Sequence, residues 1–249
     1  MRRKQPVRLL LLVALVATVG GVTLLSPASS APVAFDQKTN RFVFTLLRPN
    51  LIRAEIVTFS AGKVGDYRVD RGVVRTTSGR LLTLIERDGT VVPVRLSPTT
   101  QISVDDMRVT ARRVRPGMRA TVMRSGNAAA SWLYLTKRRP DKSEAQIRSL
   151  LSAGFVRAEV ISWAGGSVLD SRADTGVIDS ADNTSLTLRE NDGTTVQVQI
   201  DSSTRVWVNN RASGAADLTA GMRTTTIGNG DGVASQIWAY GKKLGIGKR

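Results

Sequence analysis

The stretch Asp66-Tyr67-Arg68-Val69-Asp70-Arg71-Gly72-Val73 returns 104 residues later as Asp170-Ser171-Arg172-Ala173-Asp174-Thr175-Gly176-Val177. The repetition continues on both sides without a gap, and 29 of the 86 residue pairs from Leu51/Phe155 to Thr136/Tyr240 are identical. Self-similarity at a fixed spacing is the signature of a duplicated structural unit. The chain of 249 residues is therefore predicted to hold two copies of one unit, each large enough to bury its own core.

The N-terminus has the pattern of an export signal. Four basic residues within the first eight positions precede an uncharged run, Leu9 to Leu25, and a stretch of small residues, 26–31, follows it. The run is also at the short limit for a membrane-spanning helix. Residues 1–31 are therefore predicted to be a cleaved export signal or an uncleaved N-terminal membrane anchor, which places the protein in the cell envelope or outside the cell.

The repeat and the charge pattern set the remaining boundaries. Copy one is predicted over 36–136 and copy two over 143–240, with a basic linker over 137–142 and a basic tail over 241–249. The chain contains no cysteine, so neither disulfides nor a lipid-attachment thiol are expected.

Each copy is predicted to begin with a short helix. In copy two, Asp141 and Glu144 have capping-box spacing, and Ile147, Leu150 and Leu151 form one apolar face before Gly154. The helix is expected over 144–151 and, by alignment, over 40–47 in copy one.

A charged β-hairpin follows, and its register can be predicted. With two-residue turns at Ala61-Gly62 and Gly165-Gly166, Arg53 lies opposite Asp70 and Glu55 opposite Arg68. The same register in copy two sets Arg157 opposite Asp174 and Glu159 opposite Arg172. All four cross-strand pairs then have opposite charges, which favours this register.

The rest of each copy is a series of short strands separated by turn residues, as at Asp88-Gly89 and Asp192-Gly193. In copy one the strands are expected over 72–76, 81–86, 91–96, 101–104, 119–124 and 131–136. Many short strands with glycine-rich turns favour a small closed barrel. The predicted fold class is mainly β (α+β), as two tandem repeats that each contain a short helix, a hairpin and an OB-like barrel.

A set of turn and core residues resembles an uncharacterised family of exported bacterial domains with small OB-like β-barrels. The resemblance implies a fold and an exported location, and it implies no catalytic or binding residue. The residues that carry it in copy one are Gly72-Val73, Leu82-Thr83-Leu84, Asp88-Gly89-Thr90, Val92, Val94, Thr100, Pro116-Gly117-Met118-Arg119 and Ala130, with copy-two counterparts from Gly176-Val177 to Ala220-Gly221-Met222-Arg223 and Ala234.

The chain has no histidine and no cysteine, which excludes a Ser/His/Asp triad, a thiol nucleophile and the common zinc sites. A glycosidase needs only carboxylates, and Glu86/Asp88 recur as Glu190/Asp192, but these residues flank a hairpin turn. The alternative of a cation site or an acid/base pair at Asp66/Asp70 and Asp170/Asp174 is disfavoured, because an arginine lies between the two aspartates of each pair. We expect no catalytic residue, no metal site and no cofactor.

The two copies differ in charge. Residues 51–136 hold 14 Lys/Arg against 7 Asp/Glu, whereas 155–240 hold 6 against 10. Copy one could bind an anionic envelope polymer or lipid, or contact the acidic copy two through a weak, salt-sensitive association. The residues predicted for such a contact are Arg112, Arg113, Arg115 and Arg119.

Copy two holds three tryptophans, Trp163, Trp207 and Trp238, which are candidates for stacking on a sugar or for core packing. Nucleic-acid binding, the further alternative for an OB-like barrel, is disfavoured by few aromatic residues in copy one, the acidic copy two and the export segment. The sequence thus predicts an exported, non-catalytic binding or structural protein, with oligosaccharide or polyanion binding through copy one as the alternative.

Overall fold

The computed structural model describes residues 50–136, 147, 151 and 154–241. The predicted export segment, the helix at 40–47, the linker and residues 242–249 lie outside this part of the chain. Of the predicted helix at 144–151, only Ile147 and Leu151 are described, and both have helical backbone and are buried. Within these described residues, no helix is long and apolar enough to span a bilayer.

The described chain is mainly β, as predicted, and its fifteen strands join in one sheet. Two 3-10 turns, Ala111–Arg113 and Ala215–Asp217, interrupt them. The strands of copy one are β1 Leu51–Ser60, β2 Lys63–Ser78, β3 Leu81–Glu86, β4 Val91–Val104, β5 Met107–Arg108, β6 Arg119–Ser125 and β7 Ala130–Thr136. Those of copy two are β8 Phe155–Ala164, β9 Ser167–Ala181, β10 Ser185–Glu190, β11 Thr195–Gln199, β12 Arg205–Val208, β13 Arg211–Ser213, β14 Arg223–Gly228 and β15 Ala234–Tyr240.

The predicted hairpin register is confirmed in both copies. Arg53 pairs with Asp70 and Glu55 with Arg68 around a turn at Ala61-Gly62. The equivalent pairs and the Gly165-Gly166 turn occur in copy two. Ala61 and Gly62 both have positive φ, at 50° and 74°, which is the conformation that a two-residue hairpin turn of this kind requires.

Two segment boundaries were predicted wrongly. The second hairpin strand and the first barrel strand are one continuous strand, β2, of 16 residues. The segments 91–96 and 101–104 are also one strand, β4, in copy one, whereas copy two has separate strands β11 and β12 at the aligned positions. β2 stays continuous because β6 pairs with it across the join, whereas β4 changes partner from β3 to β7 at an irregularity between Leu96 and Gln101.

Five strands of copy one pair in a closed circuit: β2 with β3, β3 with β4, β4 with β7, β7 with β6, and β6 with β2. The β4–β7 pairing is parallel and the other four are antiparallel. Copy two repeats these pairings with β11 and β12 together in the place of β4: β11 pairs with β10, and β12 pairs parallel with β15. The Thr100 hydroxyl donates a hydrogen bond of 2.6 Å to the carbonyl of Ala130, and the Thr204 hydroxyl donates one of 2.6 Å to the carbonyl of Ala234. This shared contact explains why the threonine recurs in both copies.

The two copies meet along β1 and β8, which pair antiparallel. The aligned residues Glu55 and Glu159 face each other at the centre of this pairing. On either side of them, Arg53 faces Ile161, and its counterpart Arg157 faces Val57, the counterpart of Ile161. The two strands are therefore related by a local twofold axis. Three apolar clusters fill the structure, one inside each strand circuit and one at this junction. Ile147, Leu151 and Phe155 belong to the junction cluster. Backbone pairing and apolar packing, rather than opposite charge, therefore join the copies.

At the twofold axis, Glu159 lies between like and opposite charges. It faces Glu55 on β1 and Arg172 on β9, and burial, with Asp170, Glu55 and Asp231 nearby, raises its pKa. A lysine at 159 would no longer attract Arg172, but it would attract Glu55 across the β1–β8 pairing. We expect Glu159→Lys to change the free energy of unfolding by less than about 1 kcal/mol in urea titrations. Glu55→Lys is the matched control. It should lower the free energy of unfolding more, because Glu55 forms an ion pair of 3.3 Å with Arg68. Equal losses for the two variants would contradict this account.

Candidate functional site

The outer side of strands β2, β3 and β4 in copy one has an unusual composition. Inward-facing residues such as Leu82, Leu84 and Val92 fill the core of the circuit, so the alternate residues point to solvent. Val73, Ile85 and Val91 lie directly opposite one another across the three strands. Their exposed fractions are 43, 37 and 48%. They form a continuous apolar row on the surface of copy one.

Arginines border this row. Arg119 pairs with Val73 on the β6 side, and Arg95 pairs with Leu81, which is itself exposed. Arg75 lies at the bulge of β2, and Arg80 lies in the β2–β3 turn; both are exposed. We call this set the basic–apolar face: Val73, Leu81, Ile85, Val91, Pro93, Arg75, Arg80, Arg95 and Arg119. It contains no acidic residue.

None of these four arginines has an ion-pair partner among the residues that the structure describes. Arg95 does donate a hydrogen bond of 3.0 Å to the carbonyl of Asn127, in the β6–β7 loop. That loop is thereby held beside β4. The positive charges of the basic–apolar face therefore contact solvent and are available to a binding partner.

The equivalent surface of copy two is different. Val177 is the counterpart of Val73, but Arg189 and Thr195 lie at the positions of Ile85 and Val91, and Gln199 occupies the position of Arg95. Arg189 also forms an ion pair of 3.0 Å with Asp179, the counterpart of Arg75. The same backbone therefore carries a basic and apolar surface in copy one and a more polar surface in copy two, where Asp179 pairs with Arg189.

Of the four arginines predicted from the sequence, Arg119 lies on the basic–apolar face. Arg112 and Arg113 are exposed on the 3-10 turn, and Arg115 donates hydrogen bonds to the carbonyls of Arg112 and Val114. Backbone hydrogen bonds from Gly117 to Val74 and from Val74 to Met118 hold the following loop against β2. The predicted arginines thus follow one another along a loop that leads onto the edge of the face, and their role in binding stays a prediction.

The three tryptophans do not form one platform. Trp207 and Trp238 are cross-strand neighbours whose rings stack at 5.2 Å with 12° between their planes. Trp238 also packs against the junction cluster. Trp163 lies at the end of β8, where the guanidinium of Arg87 from copy one is 5.0 Å from its ring centre. Trp238 and Trp163 therefore contribute to packing. All three tryptophans are half-buried, and sugar stacking stays a prediction.

The recurring carboxylates are held by arginine. Arg53 contacts Glu86 and donates a hydrogen bond of 2.9 Å to Asp88 through the same nitrogen, Nη1. Arg157 makes the same contacts with Glu190 and Asp192. Arg53 and Arg157 lie opposite Asp70 and Asp174, as the predicted register requires, but they do not form ion pairs with them. Those aspartates bind Arg68 and Arg172, the arginines that lie within each aspartate pair of the sequence. In each copy these ion pairs connect the hairpin to the turn that follows β3 in copy one and β10 in copy two.

These carboxylates have divergent pKa values. Burial raises the pKa of Glu86 and of Glu190 to about 7, and the arginine contacts offset this only in part. The pKa of Asp88 is lowered: burial opposes this, but the amide and hydroxyl of Thr90 and the Arg53 guanidinium outweigh it. An acid of raised pKa beside an ionised carboxylate is the pairing used by glycosidases. Here, however, the Glu86 side chain is wholly buried and its Oε2 is occupied by Arg53, so a sugar has no access to it.

The sequence reasoning missed Val73, Ile85, Val91 and Arg95. Part of the signal was present in the repeat: Ile85, Val91 and Arg95 of copy one align with Arg189, Thr195 and Gln199 of copy two, whereas Val73 aligns with another valine. That signal could be interpreted only once the side of the sheet was known for each position.

No protein-family model matches this chain, and no curated protein matches it. The family resemblance drawn from the turn residues therefore stays an expectation. Among solved structures, the chain is similar to a deletion mutant of the single-stranded DNA binding protein from Thermus aquaticus, with 12% identity over 77% of this chain and 91% of that chain. The TM-score is 0.19, and a superposition this loose establishes neither a shared fold nor a shared function.

Proposed function

We propose that this is an exported, non-catalytic protein of the cell envelope or the extracellular space, which binds an anionic partner through the basic–apolar face of copy one. The single observation that carries the proposal is a surface with four exposed arginines and no acidic residue. Copy two provides the contrast, because three of the four aligned positions of these arginines hold Asp179, Thr184 and Gln199.

We also propose that each copy is an OB-like barrel. The support is the strand circuit, in which five strands close with the third and the fifth parallel. In OB folds the surface of the second and third strands, with the first-to-second and fourth-to-fifth loops, binds oligonucleotides and oligosaccharides. In copy one these elements are β3, β4, the turn at Arg80 and the loop at Asn127, which are the elements of the basic–apolar face.

The chemistry of the face favours an anionic polymer or surface over nucleic acid. Single-stranded nucleic acids bind to aromatic side chains on which bases stack, with about 1–3 kcal/mol for each base. The exposed apolar residues of this face are aliphatic. Trp132 and Tyr134 stack on each other at 5.5 Å on β7, outside the face.

The test is retention of the full chain on immobilised polyphosphate as a function of salt. We expect Arg95→Gln combined with Arg119→Gln to elute at lower salt, with the slope of log affinity against log salt reduced by about 1 to 2, because each neutralised phosphate contributes just under one unit. The matched control is Arg205→Gln with Arg223→Gln in copy two, which removes the same charge. The basic segments at both ends are common to all variants, so the difference between variants reports on the face.

Equal shifts for the two double variants would mean that retention follows net charge alone, and the proposed function would be wrong. Unfolding curves followed by tryptophan fluorescence should show that both double variants remain folded.

A further inference from the structure

The apolar row at the centre of the basic–apolar face is not explained by binding a soluble polyanion. Phosphate or carboxylate groups on a polymer would be bound by the arginines alone, and would leave Val73, Ile85 and Val91 in water. The outer faces of sheets are ordinarily polar, as in copy two, where Arg189 and Thr195 lie at the positions of Ile85 and Val91. Contiguous exposed apolar surface rimmed by charge marks an interaction site.

We infer that the basic–apolar face docks on an anionic phospholipid surface, with the apolar row entering the headgroup boundary and the bordering arginines binding lipid phosphates. This inference rests on the proposed function and names the partner class of the same site. The composition is that of amphipathic helices that lie in the membrane interface, which combine an apolar face with basic residues beside it, here carried by a sheet. A basic residue near such a surface strengthens binding by about fivefold, and this face has four.

The other occupants of the face are less suited to it by charge. Residues 1–49 of this chain carry seven Lys/Arg and one Asp, and residues 242–249 carry four Lys/Arg and no acidic residue. Neither segment complements a surface of arginines. The acidic copy two of a second molecule would, but several of its carboxylates already accept hydrogen bonds within their own turns, as Asp182 does from Thr184 and Asp201 from Ser203.

The predicted export segment points to the same partner. The predicted export would bring the protein to a membrane whether Leu9 to Leu25 is removed or kept. A tether alone would not orient the protein. The basic–apolar face supplies a preferred orientation, with β2, β3 and β4 of copy one toward the bilayer.

The natural absence of cysteine allows a direct test with the full chain. Ile85→Cys carries an environment-sensitive fluorophore, and Arg189→Cys carries the same label at the aligned position of copy two. Each protein is added to vesicles of phosphatidylcholine with or without phosphatidylglycerol. We expect the label at 85 to shift its emission to the blue and to become protected from iodide only on vesicles that contain phosphatidylglycerol. The label at 189 should remain accessible on both, even if the N-terminal segment anchors the chain.

Adding Arg95→Gln and Arg119→Gln to Ile85→Cys should weaken the protection, by about fivefold in affinity for each arginine removed. Val91→Cys is a second labelling position with the same expected behaviour, in case the substitution at 85 disturbs the strand.

Three results would overturn the inference. Protection at 85 by soluble polyphosphate but not by vesicles would identify a polymer as the partner, and the proposed function would stand. Protection that grows with protein concentration without lipid would identify a second copy of the chain. Equal behaviour of the labels at 85 and 189 on vesicles would show that the face has no part in docking, while the polyphosphate retention experiment decides the proposed function separately.

Discussion

Replacing Gly72 by alanine should lower the free energy of unfolding by about 2–3 kcal/mol, and Gly176→Ala should have the same effect. A Cβ atom at these positions would lie 2.4 and 2.3 Å from the carbonyl oxygens of Ile85 and Arg189. Contact this close with a paired backbone can be relieved only by separating β2 from β3, or β9 from β10. The two glycines stand opposite Glu86 and Glu190, so the substitution would also disturb the buried ion networks.

The control for this effect is Gly214→Ala. Gly214 has a φ of −108°, and a Cβ atom at this position would have no other atom within 4 Å, so alanine fits there without strain. Alanine should be neutral at 214, or stabilising by about 0.4–1 kcal/mol, because it restricts the unfolded chain. Urea unfolding of the three variants gives the comparison. If Gly72→Ala and Gly214→Ala had the same stability, the close approach of β2 and β3 would not be the reason that this glycine recurs.

The second large effect is expected from Arg53→Met, which should lower the free energy of unfolding by about 3 kcal/mol at pH 8, since it leaves the buried Glu86 carboxylate without its partner. The loss should be smaller at pH 5.5. The pKa of Glu86 is already raised to about 7 by burial, so the unpaired group can become neutral in the folded protein. Arg157→Met should behave in the same way through Glu190.

The same groups predict how the natural protein responds to pH. The ordinary pKa of 4.5 applies to both glutamates in the unfolded chain, and a value of about 7 applies in the folded protein. Between these values the folded state binds more protons than the unfolded state, so stability falls as pH rises from about 5 to 7. The expected loss is on the order of 2 kcal/mol for each glutamate. Burial also raises the pKa of Asp174, so this group contributes with the same sign at pH values above its ordinary pKa of 3.8.

The double variant Glu86→Gln with Glu190→Gln should lose most of this slope. Arg53→Met combined with Glu86→Gln should be more stable at pH 8 than Arg53→Met alone, because no buried charge is left unpaired. Unfolding free energies at pH 5.5 and pH 8 for these variants test both statements. A slope that survives in the double glutamine variant would assign the pH dependence to other groups.

The sequence by itself determined the duplication, the mainly β character and the register of both hairpins. These follow from local or repeated signals: identities at a fixed spacing, glycine-containing two-residue turns, and complementary charges two residues apart on one strand. The cross-strand pairing of Arg53 with Asp70 could be predicted because turn length fixes register.

The tertiary structure alone decided which charged groups bind each other and which surface is free. Arg53 lies opposite Asp70 on the backbone but binds Glu86 and Asp88, 33 and 35 residues away, because closure of the strand circuit brings the β3–β4 turn to β1. The pairing of β1 with β8 likewise could not be predicted, because no local sequence pattern indicates that these two edge strands pair with each other. The apolar row of Val73, Ile85 and Val91 comes from three strands, and it becomes a single surface only through their pairing, since residues that face each other across a sheet can be far apart in sequence.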